Sequence, residues 1–234
     1  MTYSLRLLLS APHPCSYLSE QQASDLFIDP DAPMDTHLHS QLAQQGFRRS
    51  GNHIYRPHCQ TCNACKSVRI PVSNFAPSRQ QRRTWNKNSD LTITATSTPD
   101  RQSHLKLFRH YVKNRHSGGG MDEFEGEGPF DFFQSPWSNT LFYEFRNQQN
   151  TLVAVAVCDQ LSDGLSAVYS YFSPNESARS LGVLAVLWQI EQAKERKLPY
   201  LYLGYWIAEC RKMSYKNNYQ PLEWLNDEKW ENMK

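Results

Sequence analysis

The sequence predicts an α+β fold built around a largely antiparallel sheet. Two apolar segments, residues 141–145 and 152–157, are separated by a short polar stretch and predict a β-hairpin. A third strand is predicted over residues 165–172. A long apolar-striped helix over residues 178–196 and a fourth strand over residues 200–203 follow it. The predicted order is therefore three strands, a helix and a strand.

A further helix is predicted over residues 104–115. Its apolar side chains recur at helical spacing, and a run of three glycines follows and is expected to stop it. The periodic residues are Leu105, Phe108, Tyr111 and Val112. This helix opens the regular part of the chain.

A break near residues 97–103 divides the sequence in two. Residues 1–100 are rich in proline and carry no clear periodic pattern, whereas residues 101–234 hold the predicted helices and strands. The strand–strand–strand–helix–strand order is also that of the core of GNAT acyltransferases. We therefore expect a GNAT-like domain preceded by a smaller, irregular N-terminal domain that contains cysteines.

Length and charge narrow the class of protein. The chain has 234 residues, of which 39% are apolar, and a formal net charge of +2, which suits a globular protein with a sizeable core. It has neither an export signal nor a stretch of about 20 apolar residues. We expect a cytoplasmic protein with reduced cysteines and no membrane partner. Nucleic acid would have to bind a local basic patch.

Four cysteines form a candidate metal site. Cys59, Cys62 and Cys65 make a C-x2-C-x2-C pattern, and Cys15 lies upstream. Two-residue gaps let neighbouring thiolates converge on one ion, and four thiolates complete a zinc site or hold an iron–sulfur cluster. The alternatives are free thiols in a loop, or a histidine in place of one thiolate. The candidate histidines are His53 and His58.

A basic run follows the cysteines. Arg79, Arg82, Arg83 and Lys87 fall on one face of a helix, and no acidic residue interrupts the segment. Such a face neutralises several phosphates at once. Trp85, in the same run, is suited either to stack on a base or to pack inward. The alternative interpretation is an ordinary solvated helix face.

The start of the long helix partly matches the phosphate-cradling pattern of GNAT enzymes. Arg179 and Gly182 agree with it, whereas Leu184 replaces a small residue. A large side chain at this position argues against close approach of a CoA pyrophosphate, so neither CoA nor a nucleotide cofactor is expected. Gly182 has a second interpretation, which is close packing of helix on sheet.

Several motifs together are typical of one family. They lie at residues 55–65, 77–83, 115–121, 180–182, 200–207 and 210–216. On these motifs, which extend over nearly the whole chain, the sequence resembles the arginyl/leucyl-tRNA–protein transferase family, and most of all its short bacterial members. The resemblance implies a GNAT-like C-terminal domain, leucine transfer from Leu-tRNA, and an acceptor protein that begins with Asp or Glu, as in the N-degron pathway.

Other activities stay open beside this one. Arginyl transfer from Arg-tRNA fits an acidic run at residues 122–127, and a CoA-dependent N-acetyltransferase or a non-catalytic RNA-binding module are further alternatives. Eukaryotic relatives carry a C-x-x-C near their start, whereas this chain has Cys15-Ser16-Tyr17-Leu18. The identity of the metal is therefore left open.

The resemblance also suggests site residues. The acceptor carboxylate needs a cation, for which arginine offers two parallel donors; the candidates are Arg56, Arg69, Arg115 and Arg211. Tyrosines on or beside strands are candidates to line the aminoacyl pocket, or else are core aromatics: Tyr169, Tyr171, Tyr202 and Tyr205. His116 is a candidate base or orienting group, and Tyr205 is assigned with it to the catalytic centre. The glycines at 118–120 offer N–H groups for a tetrahedral intermediate.

Overall fold

A computed structural model describes residues 4–115 and 128–233. Its strands are β1 (Leu7–Leu9), β2 (His13–Pro14), β3 (Gln22–Ala23), β4 (Asp25–Ile28), β5 (Arg48–Ser50), β6 (His53–Pro57), β7 (Lys66–Pro71), β8 (Thr92–Thr96), β9 (Thr140–Arg146), β10 (Leu152–Gln160), β11 (Gly164–Phe172), β12 (Tyr200–Trp206), β13 (Glu223–Asn226) and β14 (Lys229–Asn232). Its α-helices are α1 (Thr36–Gln44), α2 (Arg79–Lys87), α3 (Arg101–Arg115), α4 (Gly128–Phe133) and α5 (Leu181–Glu195). Short 3₁₀ segments lie at Val72–Asn74, Pro174–Arg179 and Ser214–Asn218.

One large sheet organises the molecule, in the order β14-β13-β7-β12-β11-β10-β9-β8. The β11–β12 pair is parallel, and the other neighbouring pairs are antiparallel. The predicted mixed α+β class and the predicted hairpin of β9 and β10 are confirmed. The four predicted strands and the two helices of the C-terminal part also form, with bounds a few residues different.

The parallel pair separates after a short stretch of pairing. β11 pairs with β12 only from Gly164 to Ser166, against Tyr200 to Tyr202. Beyond that point β11 continues beside β10 alone, and β12 shifts register at Gly204 and continues beside β7. A gap, which we call the strand opening, is therefore left between the carboxyl halves of β11 and β12.

Helices cover both faces of the large sheet. On one face α5 packs against β10, β11 and β12, and α2 packs on α5. Trp85 of α2 stacks on Trp188 of α5 with ring centroids 5.9 Å apart, so this tryptophan packs inward and is not a free platform for a base. On the other face α3 packs against β10 and β11, around a fully buried cluster that includes Phe133 and Val155.

Close packing explains the glycine near the start of α5. A Cβ built on Gly182 would lie 3.1 Å from Cε1 of Phe172 on β11, which is tighter than ordinary contact. Arg179 is held by Asp90, at 2.7 and 2.8 Å, and by Glu176, at 2.9 Å. The residues that partly match a phosphate cradle therefore have internal packing and pairing roles.

The first third of the chain is not irregular, which corrects the sequence-based expectation. It forms a four-stranded sheet in the order β1-β4-β6-β5, and α1 packs beside it. β7 and β8, which also lie within residues 1–100, belong to the large sheet, so that sheet extends across the predicted domain boundary. None of the helices within the described residues is long and apolar enough to cross a membrane.

A buried ion pair fastens the N-terminal sheet to the large sheet. Arg49 of β5 donates to both carboxylate oxygens of Asp159 on β10, at 2.6 and 2.9 Å, and both side chains are about 1% exposed. The same guanidinium donates to the carbonyl oxygen of Phe133 at 2.6 Å, and Thr140 donates to Asp159 at 2.6 Å. Because a buried charge needs partners, these bonds fix the docking geometry closely.

Candidate functional site

An arginine of the N-terminal sheet enters the strand opening. Arg48 of β5 donates to the hydroxyl of Ser166 at 2.9 Å and to the carbonyl oxygen of Ala167. Ser166 is the last residue of β11 that pairs with β12, and Ala167 is the first that does not. The guanidinium therefore supplies donors where the backbone ladder between the two strands ends.

A glycine of β12 makes room for that arginine. Gly204 has a φ of +80°, in the region where a side chain is strained, and it lies at the register shift of β12. A Cβ at this position would lie 3.0 Å from Nε and 3.1 Å from Cζ of Arg48. Both the backbone conformation and the neighbouring guanidinium therefore require glycine here.

A second cation lies beside the next residue of β12. Lys216, in the Ser214–Asn218 segment, is 7% exposed, and its ammonium donates to the carbonyl oxygen of Tyr205. Burial, and after it the nearby Arg48 guanidinium, lowers the pKa of this ammonium to about 7. Within residues 4–115 and 128–233, no carboxylate pairs with Arg48 or with Lys216.

Tyr205 joins the two sheets at the same place. Its hydroxyl lies 2.9 Å from the carbonyl oxygen of Gly46 and 3.1 Å from that of Tyr55, both of which can accept its proton. Burial raises the pKa of the Tyr205 hydroxyl well above its ordinary value, so the group stays protonated near neutral pH. The structure thus gives Tyr205 a tethering role, and its catalytic role stays a prediction.

The four predicted metal ligands line one cavity of about 380 Å³, next to Tyr55 and Tyr205. Cys15, Cys59, Cys62 and Cys65 are each partly buried. Burial, followed by the charges of the three other thiols, raises the pKa of Cys65 to about 12. Four thiols in one cavity are a chemically suitable donor set. Nevertheless, no group of three or more His, Cys, Asp or Glu side chains in the described part of the chain is arranged to hold a metal ion.

The basic run forms the predicted helix, α2, and its cations face solvent. Ser78 and Gln81 form a capping box: the Ser78 hydroxyl accepts from the Gln81 N–H at 3.3 Å, and the Gln81 side chain accepts from the Ser78 N–H at 2.7 Å. The four cations are exposed: Arg79, Arg82, Arg83 and Lys87. Gln81 also donates to the carbonyl oxygen of Asn218 at 3.0 Å, which connects this helix to the segment that carries Lys216.

The comparisons with known proteins agree with this architecture. Residues 13–83 match the model of the N terminus of arginine-tRNA-protein transferase, and residues 103–226 match the model of its C terminus. The chain belongs to the arginine-tRNA-protein transferase family. The family resemblance expected from the sequence motifs is thereby confirmed.

Individual relatives in the family match over nearly their full length. The chain is 50% identical over 226 residues to the aspartate/glutamate leucyltransferase of Saccharophagus degradans, covering 97% of this chain and 96% of the relative. It is 48% identical to the aspartate/glutamate leucyltransferase of Pseudomonas putida, with the same coverage. Among solved structures, L-PGS from Bacillus licheniformis has 12% identity and a TM-score of 0.45 over 62% of this chain and 47% of that one.

Two residues that we assigned to the substrate site of this transferase lie in an internal cluster. Arg69 of β7 is buried, donates to Glu223 at 2.7 Å, and stacks on the rings of Tyr200 and Trp230 at 3.5 and 4.2 Å. Tyr202 is 2% exposed and donates to Asp163 at 2.8 Å. We correct both assignments, because the charge of Arg69 is neutralised by Glu223 and the Tyr202 hydroxyl already donates to Asp163.

The predicted tyrosines of β11 pack in the core. Tyr171 is fully buried, and its hydroxyl lies 2.8 Å from Nδ1 of His104, whose Nε2 lies 2.9 Å from Glu144. Tyr171 therefore offers no surface to an aminoacyl group, and we correct its assignment as a pocket residue. Tyr169 is partly buried and packs edge-on against Phe132, with ring centroids 5.9 Å apart.

The other predicted arginines occupy three different places. Arg56 lies over the ring of Phe47 at 4.9 Å, and Arg211 is exposed in a turn. Arg115, at the end of α3, lies over the ring of Phe172, the last residue of β11, at 5.0 Å. His116, the glycines at 118–120 and the acidic run at 122–127 lie outside the described residues.

Sequence reasoning missed Arg48 and Lys216 as site residues. Gly204 and Lys216 both lie within motifs that are typical of the transferase family, at residues 200–207 and 210–216, but no role was assigned to them. Arg48 lies in none of the motifs. A lysine close in sequence to several aromatic residues is a weak sign of burial, and nothing in the sequence indicates that Arg48 reaches β12.

Proposed function

We propose that the protein transfers leucine from Leu-tRNA to the N-terminal α-amino group of proteins that begin with Asp or Glu. The relatives named aspartate/glutamate leucyltransferase, matched over 97% of the chain, support this activity. The observation that carries the proposal is the strand opening with the buried Lys216 and the half-buried Arg48, because it offers a cationic place for an acidic acceptor. The sequence order and the separation of the parallel strands favour a GNAT-like transferase fold.

The chemistry needs alignment more than a nucleophilic side chain. The donor is an aminoacyl ester, and the acceptor amine, with an ordinary pKa of about 7.7–8.0, is partly neutral near neutral pH. The amine attacks the ester carbonyl, the carbon–nitrogen bond forms, the bond to the ribose oxygen breaks, and the amine proton is passed to that oxygen. Holding the two reactants in line supplies roughly 7–11 kcal/mol of such a barrier.

The exposed cations of α2 are the proposed binding surface for tRNA. Their side chains reach solvent without carboxylate partners among the described residues, so each is able to neutralise a phosphate. The Gln81–Asn218 hydrogen bond joins this helix to the Ser214–Asn218 segment, which carries Lys216, and so supports a tRNA surface next to the candidate site.

The cysteine cavity is the proposed zinc or iron–sulfur site. The four thiols support it by facing one cavity, and a bound metal would stabilise the N-terminal sheet. No step of the transfer is assigned to it. Cys62→Ser is expected to lower metal content, measured by elemental analysis, and to lower the melting temperature. Unchanged metal content in that variant would refute ligation.

A direct assay tests the activity and the choice of donor. Labelled Leu-tRNA, Arg-tRNA and acetyl-CoA are each incubated with a peptide that begins with Asp and with a matched peptide that begins with Ala. We expect label on the Asp peptide from Leu-tRNA only. Label from Arg-tRNA would instead establish arginyl transfer, label from acetyl-CoA would establish acetylation, and no label from any donor would overturn the proposal.

A further inference from the structure

We propose that Arg48 and Lys216 form a clamp for the side-chain carboxylate of the acceptor's first residue. The inference rests on the proposed function and deepens it, because it assigns acceptor specificity to two residues at the strand opening. Neither residue was among the candidates that the sequence suggested for binding the acceptor carboxylate. The two residues take the role first assigned to Arg69, whose guanidinium is already paired with Glu223.

The first argument is the unbalanced charge of this place. Arg48 and Lys216 contact consecutive residues of β12, Gly204 and Tyr205, and their protein partners are neutral oxygen atoms. Lys216 is buried and Arg48 is half-buried, and cations so placed with no ion-pair partner among the described residues are costly. A bound anion supplies a counter-charge. The site is therefore expected to bind an acidic ligand more tightly than a neutral ligand of the same shape.

The second argument is the remaining donor capacity. A guanidinium has five N–H donors, and Arg48 uses one for Ser166 and one for Ala167 within the described residues. The ammonium of Lys216 has three donors and uses one for Tyr205. A carboxylate accepts bonds from a guanidinium fork and from an ammonium together, so the free donors match what Asp and Glu offer.

The third argument concerns the size of the ligand. Lys216 is 7% exposed, Gly204 is buried and Arg48 is half-buried, so a ligand must reach inward to contact both cations. A terminal carboxylate on a short side chain suits such a recess better than a phosphodiester within a polynucleotide does. The tRNA also has a separate surface, the exposed cations of α2. We therefore assign the clamp to the acceptor protein and not to the tRNA.

The test uses the full-length chain and three variants. Lys216→Met removes the ammonium while keeping the length of the side chain, and Arg48→Lys keeps a charge but removes the planar fork. Lys229→Met, at an exposed position of β14, is the matched control. Leucine transfer from Leu-tRNA is measured with peptides that begin with Asp, Glu, Asn or Gln. Binding of the Asp and Asn peptides without tRNA is measured by calorimetry.

We expect Lys216→Met to raise KM for the Asp and Glu peptides about 10- to 100-fold, the loss typical of a charge-assisted bond, with KM for Leu-tRNA unchanged. The preference for Asp over Asn falls by the same factor in transfer and in binding, and Arg48→Lys gives a smaller loss. Lys229→Met behaves as the wild-type protein does. Removing the buried ammonium also removes its desolvation cost, which offsets the lost hydrogen bond to the Tyr205 carbonyl. Circular dichroism is therefore expected to show a folded Lys216→Met protein.

Two results would overturn the clamp while leaving the proposed function intact. An unchanged ratio of Asp to Asn activity in both variants would show that neither cation contacts the acceptor carboxylate. A raised KM for Leu-tRNA with unchanged discrimination would assign the two cations to a phosphate of the donor. By contrast, absence of leucine transfer by the wild-type protein would refute the function itself, and the calorimetric preference for Asp would then test the clamp separately.

Discussion

The molecule has two groups of cations in contrasting surroundings. Those of α2 face solvent on a helix that packs by Trp85 on α5, whereas at the strand opening Lys216 is buried and Arg48 is half-buried. Exposed charges cost little to maintain and act over about 8–10 Å of screened solution, so they attract a polyanion without selecting one group on it. Withdrawn charges are costly, but they distinguish an acid from its amide. Under the proposed function, affinity for RNA and selectivity for the acceptor are therefore separated in space.

Gly204→Ala is expected to have the largest effect on the difference between the two cation groups. The new Cβ would lie 3.0 Å from Nε of Arg48 at a φ of +80°, so the backbone is strained and the guanidinium must move away by a few tenths of an ångström. We expect kcat/KM for Asp peptides to fall about 100-fold. The double variant Gly204→Ala with Arg48→Lys tests the cause, because a shorter cation relieves the contact but not the backbone strain. An activity loss in Gly204→Ala of less than about twofold would contradict the close approach.

Charge reversal on α2 tests the other cation group. Arg82→Glu is expected to raise KM for Leu-tRNA about tenfold at low salt and to reduce the dependence of log KM on log salt by about one. The ratio of Asp to Asn peptide activity stays as in the wild-type protein. Arg6→Glu, on the exposed end of the N-terminal part, is the control. An unaltered salt dependence in Arg82→Glu would count against a phosphate contact.

The pH dependence of stability tests whether Lys216 is buried as a cation. The pKa of Lys216 is about 7 in the folded protein and about 10.4 when unfolded. Between pH 7 and about pH 10.4 the unfolded chain binds a proton that the folded protein lacks, so the free energy of unfolding rises with pH in this range. The contribution of Lys216 to stability is lowest below about pH 7. We expect the melting temperature of the wild-type protein to rise from pH 7 to pH 9 relative to Lys216→Met. Parallel curves for the two proteins would refute the shifted pKa.

Tyr205→Phe is expected to have the smallest effect and to separate tethering from catalysis. The change removes the hydroxyl that lies against the carbonyl oxygens of Gly46 and Tyr55. Loss of a tether costs about 1 kcal/mol of unfolding free energy and leaves kcat within a few-fold. Denaturant unfolding and steady-state transfer measure the two quantities. A kcat lowered 100-fold in a protein of nearly unchanged stability would establish the predicted catalytic role.

Local patterns in the sequence were sufficient to predict much of the C-terminal part. The elements β9 to β12 and α5 carry their own periodicity, and α2 carries its own charged face, so each was predicted from its own residues. β7 was not predicted. It is a short segment whose partners, β12 and β13, lie more than a hundred residues later in the chain, and its residues include Lys66 and the buried Arg69.

The candidate site was harder to predict than the fold, because it depends on contacts between distant residues. Arg48 contacts Ser166, which lies 118 positions later in the chain, and no local sequence pattern predicts such a contact. The same limit explains the corrected residues. Arg69 and Tyr171 were chosen for their residue type. Each already forms a hydrogen bond with a residue far away in the sequence, Arg69 with Glu223 and Tyr171 with His104.

The adjacent arginines of β5 have a consequence for how activity depends on assembly. Successive side chains of a strand point to opposite sides, so Arg48 enters the opening while Arg49 locks onto Asp159. The same short strand therefore both joins the N-terminal sheet to the large sheet and positions Arg48 at the strand opening. Under the proposed clamp, detachment of β5 from the large sheet removes the ion pair and the clamp arginine together, so selectivity for acidic acceptors requires the assembled protein.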